Sequence, residues 1–549
     1  MQPEGIKIRF KKYAQKVDWN LLIFLLLFLN VKLAVKGLGL VFMYVRRMNF
    51  SFRFSAKSEG LPWFYPAMIG IAVVNTVWLS LYREHNYSIL LFVGISFWVM
   101  CILAVHQMAL SVKESALEKI HYTLFVFFLV NAIASYSNLF SIILEIDEWN
   151  PYRYQGLYQK YFIGTGDYIR GISFDTSTTN AILNAFAVVY FLSRKQMGMT
   201  LVCMSVLLLT CSNFTNLLMI VCLVGFFIYG SDRNQKSMIV VMVMMLVVFM
   251  TNVSPQNNHY AINMMEKTFG RKQTVKKANV KEIPVTERPD SVLTFEERRT
   301  KHAKLYLDSM AGLRNNMGLL QSGNNRDNAA VFHPVIPKVN IHAPEYQHRQ
   351  DSSEARLQAI AFLYEIENGK DPYRPDTVSR INQPPGKLTA FRQLIVFMKA
   401  HPAKLVTGNG MGNFSSKLAF RATGLKIAGG YPAAYTYVGD DFRKNHLSVY
   451  LSFFGKDSGY HSIANSPNSF YSQLLGEYGF VGIAVFILFY VLHFAKGFRK
   501  LTYGLPVLFI MLGAFVTEYW FEQLSIVVVF ELLILLNRRE ITENNTVES

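Results

Sequence analysis

The sequence predicts an all-α polytopic membrane protein of about twelve transmembrane helices, with a large, mainly helical extracytoplasmic loop domain before the tenth span. Three observations predict it. Of 549 residues 51% are hydrophobic, and the mean hydropathy is +0.21, too apolar for a soluble chain. The charges are clustered and leave several apolar runs of the roughly 20 residues that cross a hydrocarbon core. One polar stretch, 253–467, interrupts these runs and is domain-sized.

Taken in order, spans are expected at 18–31, 33–45, 62–81, 88–110, 120–144, 173–193, 199–211, 214–230, 238–252, 468–494, 502–517 and 519–536. Residues 199–230 read as a short pair or a broken helix. With the N-terminus inside, the inner segments hold twenty basic residues: five from Lys7 to Lys16, then Arg46, Arg47, Arg53, Lys57, Lys113, Lys119, Arg194, Lys195, Arg233, Lys236, Lys496, Arg499, Lys500, Arg538 and Arg539. The short outer loops hold six: Lys32, Lys36, Arg83, Arg153, Lys160 and Arg170. This asymmetry puts both ends in the cytoplasm and 253–467 outside. Merging the first two spans would carry Arg46, Arg47, Arg53 and Lys57 outside, so a hairpin is expected there. The basic start runs into an apolar stretch with no small-residue cleavage site, so no cleavable signal peptide is expected. The division is then 1–252 (spans 1–9), 253–467 (outer loop domain), 468–537 (spans 10–12) and 538–549 (cytoplasmic tail).

Within the outer segment, 254–292 reads as a polar linker and TFEERRTKHAKLYLDSMAGL (294–313) as a helix. Residues 321–350 lack periodicity. DSSEARLQAIAFLYEIENG (351–369) has an N-cap at Asp351 or Ser352 and a terminal Gly, and 387–402 is a helix stopped by Pro402. The cysteines, Cys101, Cys203, Cys211 and Cys222, all fall in apolar runs. No disulfide framework therefore holds the outer segment. A net charge of +18 here means topology and anionic lipid. No nucleic-acid motif, metal-type Cys/His spacing or cofactor motif is present.

Three stretches meet at the outer face in this arrangement. In DYIRGISFDTSTTNAI (167–182), Arg170 stands just outside the bilayer, and Asp175 to Asn180 open the next span. One of them serves as N-cap; several polar groups inside a span point to a cavity or pathway. In AFRQLIVFMKAHPAKLVTGNGMGNFSSK (390–417), Arg392 lies on an otherwise apolar helix, where it either snorkels or binds an anion. The Gly408–Gly412 turn lacks the Lys-Ser/Thr ending of a phosphate loop and reads as a tight turn. In SPNSFYSQLLGEYGFVG (466–482), Asn468, Ser469, Gln473 and Glu477 share one side of a helix entering the membrane, with Asn468 placed to cap it.

These stretches resemble the O-antigen ligase and O-antigen polymerase family, integral membrane glycosyltransferases that use undecaprenyl-diphosphate-linked glycans. RGISFDTSTTN (170–180) is similar to an Arg-Gly-x-Ser/Thr-Phe…Asn helix start. TCSNFTN (210–216) looks like a turn between two short spans. FRQLIVFMKAHPAKLVTGNGMGNF (391–414) resembles an Arg-led helix followed by Pro and a Gly-x-Gly-x-Gly-Asn-Phe turn. Asn468-Ser469 followed by Gly479 and Gly482 resembles a His-Asn/Ser stretch leading to Gly-x-x-Gly. The resemblance covers about 165–495 and leaves 255–385 unmatched. Two residues depart from it. Asn213 stands where the family often has Arg, and Asn468 where its ligases place a catalytic His. An Asn cannot act as a general base; His461 or His446, just upstream, would have to substitute.

The resemblance implies glycan transfer from a polyprenyl diphosphate to an acceptor hydroxyl, outside a bacterial inner membrane and without cofactor. The first outer loop holds Lys32 and Lys36 and no carboxylate, so a metal-dependent mechanism is not expected. Arg170 and Arg392 would neutralise the diphosphate by bidentate bonds, with His461, or else Glu477, taking the proton at a catalytic position shared with Asn468. Asn180, Asn213, Asn413, Ser469, Gln473 and Glu477 would line the donor and acceptor sites. The acceptor would be lipid A-core for a ligase, or a second lipid-linked glycan for a polymerase. A transporter or flippase of the same glycans is the alternative of another class, but such proteins usually carry repeat symmetry, and none is visible here.

Overall fold

The computed structural model describes residues 15–55, 60–154, 166–255, 386–424, 430–447, 449–450 and 466–548. Among them the secondary structure is helical, with no strand and one isolated bridge between Phe54 and Leu61. In chain order come α1 Trp19–Leu29, α2 Leu33–Arg46, α3 Phe64–Trp78, α4 Tyr87–Glu114, α5 Leu117–Ile146, α6 Ser177–Ser193, α7 Met197–Leu209, α8 Asn213–Ile228 and α9 Arg233–Val253. The loop segment contributes α10 Gly386–Ala400, α11 Pro402–Thr407, α12 Lys417–Ala422 and α13 Asp440–Asn445. Then follow α14 Phe470–Lys500, α15 Gly504–Ala514, α16 Trp520–Gln523 and α17 Ser525–Glu548. Four of these, α4, α5, α9 and α14, are long and apolar enough to cross a membrane.

Local chemistry sets the helix starts. Asp18 caps α1 by accepting from the Leu21 N–H at 3.1 Å, and Thr176 caps α6 through the Thr179 N–H at 3.3 Å. Asp232 and Gln235 form a reciprocal capping box at the start of α9. The chain between 18 and 46 is two helices turning at Asn30, and 199–230 is a pair, α7 and α8, joined near Thr210. Several boundaries differ from expectation: α9 starts at Arg233 rather than at 238, and α17 continues past 537 to Glu548. Residues 515–524 form a turn containing α16, so the last long helix begins at Ser525 rather than at 519. Of the helices expected in the loop segment, 387–402 appears as α10; the regions 294–313 and 351–369 and most of the insert 255–385 lie outside the described residues.

Helix ends gather at two poles. At one, the Ser115 hydroxyl donates to Asp18, Arg47 pairs with Asp18 at 3.6 Å, and Arg194 and His121 both meet Glu540 at 3.1 Å. Arg539 donates to the Ser115 carbonyl at 2.6 Å. This basic end therefore holds both the start of α1 and the later turns of α17. At the other pole, the Val31 N–H donates to the Ser173 carbonyl at 3.2 Å, Asn75 to Thr407 at 2.7 Å, Tyr152 to Leu209 at 2.6 Å and Asn86 to Thr436 at 3.0 Å. This is the loop end, where α10–α13 sit.

The core is centred on α6 and α17, buried without interruption over 179–192 and 523–534. An aromatic cluster joins α3, α4, α14 and the 515–521 turn: Phe64 meets Trp98 edge-on at 5.5 Å, and Phe515 stacks on Phe521 at 5.2 Å. Glu531, buried within the bundle, accepts from the Tyr490 hydroxyl at 3.0 Å and from that of Tyr65, so its polarity is matched away from water. The flanks are apolar instead: Val77 is 65% exposed, Phe92 72% and Met244 58%. Such a surface suits lipid contact rather than water.

Candidate functional site

Two groups of predicted residues stand at the loop end, on different elements. The first surrounds Arg170. The Asn138 side chain accepts from the Arg170 and Gly171 N–H groups at 3.1 and 3.0 Å, and Asn131 from the Ile172 N–H at 3.2 Å. Asn180 is fully buried beneath them. It donates to Ser135 at 2.9 Å and to the Ile169 carbonyl at 3.0 Å, and accepts from Asn131 at 2.8 Å and Asn184 at 2.9 Å. Its bonds therefore hold the Arg170 turn onto α5. The polar run 175–179 is largely local as well: the Thr179 hydroxyl donates to Asp175 at 3.0 Å and the Ser177 hydroxyl to Asp167 at 3.0 Å. The Arg170 guanidinium, part-exposed, donates through Nε to the Asp167 carbonyl at 3.3 Å. Asn213 opens α8 and is half-buried.

An apolar cavity lies beside the residues on which this turn packs. Tyr168 and Ile169 pack on Ile142, Leu139 and Leu209. Leu139 and Leu209 also line a space of about 570 Å³ between α5, α7 and α9, together with Val241, Met244, Phe249 and Val253. Its two polar lining side chains, Tyr136 and Ser205, hydrogen-bond to each other. The rest is hydrocarbon. Val241 and Met244 are exposed, so the cavity reaches the flank of the bundle; Arg170 follows Tyr168 and Ile169, which pack on two of its lining residues.

The second group surrounds the Gly408–Gly412 turn. Gly408 and Gly410 have φ of +78° and +86°, a region that a side chain disfavours, and a Cβ at Gly408 would collide with the Glu477 backbone. The N–H groups of Asn409 and Gly410 donate to the Gly476 and Glu477 carbonyls, each at 3.0 Å. Those carbonyls are freed where α14 widens over Leu474–Tyr478 into a turn with i→i+5 bonding. The glycine turn thus spends on α14 the donors a phosphate loop would offer. Asn413 is tied in by Tyr437, whose hydroxyl donates to it at 2.6 Å.

Gln473 and Glu477 point inward rather than along an open face. Glu477 is fully buried and accepts from the Phe414 N–H at 3.4 Å. Gln473 donates to Glu522 at 2.6 Å, and Glu522 also accepts from the Leu418 N–H at 2.9 Å. Lys417 and Arg421 lie within electrostatic reach of Glu522. Lys36, expected near a loop tip, is instead inside α2 and buried. Its ammonium donates to the Phe28 carbonyl at 2.7 Å and to Ser525 at 2.5 Å. It ties the α1–α2 turn to the start of α17.

Asn468 does not cap α14; Ser469 occupies that position, and the Ser469 hydroxyl donates to the Phe515 carbonyl at 3.4 Å. The Asn468 amide donates to both carboxylate oxygens of Glu518, at 2.8 and 3.0 Å. Lys387 clamps this turn, donating to the Asn468 carbonyl at 2.5 Å and the Thr517 carbonyl at 3.4 Å. Burial pushes the Lys387 ammonium down to about 8, against the opposing pull of Glu518. Arg392 is exposed on α10, which packs on α11, α13 and the first turn of α14. His446 is fully buried beside Phe414, ring centroids 5.0 Å apart, and burial holds it at about 3; the packing closes it to an acceptor. His461 lies outside the described residues.

Sequence reasoning missed Lys387, Glu518 and Glu522. The signal was present in TEYWFEQ (517–523), where two carboxylates interrupt an apolar region, but the turn was read as a near-immediate reversal between spans. Among the described residues no three His, Cys, Asp or Glu side chains group as metal ligands. No protein-family model, curated protein or solved structure matches this chain.

Proposed function

We propose that this chain is a membrane glycosyltransferase that moves a glycan from a polyprenyl diphosphate to an acceptor hydroxyl. The reading includes twelve spans, the basic end in the cytoplasm of a bacterium, and chemistry at the loop end. The observation that carries it is the apolar, flank-facing cavity whose lining residues Leu139 and Leu209 also pack against Tyr168 and Ile169, next to Arg170. A lipid diphosphate needs that pairing: hydrocarbon below for the chain, a guanidinium at the polar boundary for the phosphates. Arg170 would hold the diphosphate, and Arg392 would add a second positive charge. In the step, the acceptor oxygen attacks the anomeric carbon as the sugar–phosphate C–O bond breaks. The diphosphate leaves with the electron pair, and cationic groups stabilise the charge it gains.

The motif resemblance favours a ligase with lipid A-core as acceptor; the loss of a His at position 468 leaves a polymerase as the second reading. Purified protein in lipid vesicles, supplied with a polyprenyl-diphosphate oligosaccharide and each acceptor in turn, tests both. Transfer to lipid A-core supports a ligase, and lengthening of the lipid-linked glycan a polymerase. Arg170→Ala and Arg392→Ala should each lower transfer about 100-fold or more with normal membrane insertion. No transfer to either acceptor, or unchanged transfer in both variants, would overturn the reading.

A further inference from the structure

The turn that carries Asn468 is packed against a carboxylate, Glu518. Asn468 cannot take a proton, but its amide is spent on Glu518, reaching both oxygens at 2.8 and 3.0 Å. The Tyr519 N–H adds a third bond to Oε1 at 3.3 Å. A carboxylate has about four lone-pair sites, so acceptor capacity remains on it. Glu518 and Asn468 are both part-exposed, whereas Glu477 and His446 are shut in the interior. The position is rigid: Lys387 grips the carbonyls on either side, at Asn468 and Thr517, and the Phe470 N–H bonds the Phe515 carbonyl at 2.9 Å.

Resting on the glycosyltransferase reading, we infer that Glu518 is the proton acceptor of the transfer, with Asn468 and Lys387 as the residues that position it. As the acceptor hydroxyl oxygen bonds to the anomeric carbon and the diphosphate departs with the C–O electron pair, the hydroxyl proton passes to Glu518. The resulting carboxylic acid returns it to water before the next turnover. Lys387 holds the turn through the Asn468 and Thr517 carbonyls. Asn468 fixes which lone pairs face the acceptor.

Glu518→Gln keeps the shape and removes the base. In the vesicle assay it should lower transfer to a hydroxyl acceptor by about 10²–10⁴-fold. Azide serves as the second acceptor, because it carries no proton to remove: transfer to azide should stay within a few-fold of wild type. Hydroxyl transfer at the wild-type rate in Glu518→Gln overturns the proposal and leaves the glycosyltransferase reading standing. Loss of azide transfer along with hydroxyl transfer also overturns it, since Glu518 would then be needed for the site's shape. Wild-type protein inactive toward both acceptors is the distinct result that removes the reading on which the proposal rests.

Discussion

Asn468 and Glu518, fifty residues apart in the chain, are joined by one amide nitrogen that meets both oxygens of the carboxylate. The pairing brings the start of α14 against the turn before α17. It converts a residue that cannot accept a proton into one that orients a group that can. Placing an acid opposite an acid should expose this. In Asn468→Asp two carboxylates share the site, and one of them must hold its proton to higher pH. The acid limb of the transfer rate-versus-pH profile should move up by about 1 unit or more. Asn468→Ala should lower the rate without that displacement. A profile that stays put in Asn468→Asp would separate the pair from the chemistry.

The cavity between α5, α7 and α9 offers a test by filling. Met244 is exposed on its outer wall, so Met244→Trp can intrude on the space without overpacking the core. The KM for a lipid-linked donor should rise about tenfold, with kcat at saturating donor and the thermal midpoint little changed. An unchanged KM would place the lipid chain elsewhere.

Asn180 should behave as a structural residue. It makes bonds to Ser135, Ile169, Asn131 and Asn184, and a buried partner left unpaired costs about 1–3 kcal/mol. Asn180→Leu should therefore lower the thermal midpoint by several degrees. The same loss of stability without ligand present, read by differential scanning fluorimetry, distinguishes this role from direct contact with donor or acceptor.

His446 gives the protein an acid-sensitive point. Its folded value is pushed from 6.5 down to about 3 by burial. Between those values the unfolded chain takes up a proton that the folded chain refuses. Stability from the neutral ring is fully present above about pH 6.5 and declines as pH falls toward 3. The loss approaches roughly 5 kcal/mol at most. His446→Phe keeps the ring between Phe414 and Tyr450 and should flatten this slope, measured as thermal midpoint against pH.

Gly408→Ala should fail for a backbone reason. Its φ of +78° strains any side chain, and the added Cβ has the Glu477 main chain against it. A loss of about 2 kcal/mol or more is expected, seen as lower yield and midpoint. Gly230→Ala, also at positive φ but with open space around it, should cost less.

Local residue chemistry is enough to dictate the set of helices and their punctuation. Apolar runs fixed α4, α5, α9 and α14, side-chain oxygens such as Asp18 and Thr176 fixed where helices begin, and Pro402 marked where α10 has already ended. These are local effects, settled by bonds within one turn and by the avoidance of water. The tertiary structure alone decided which polar groups remain available for chemistry. Asn180, Gln473 and Asn413 look like ligand-binding residues in the sequence, and each bonds to a neighbour brought by another segment of the chain. Glu518 looked like part of a reversal between spans, and the fold sets it beside Asn468 and Lys387. Whether a polar side chain is consumed or left open depends on partners distant in the chain, because a hydrogen bond is decided by ångströms of separation and the linear order carries no such distances.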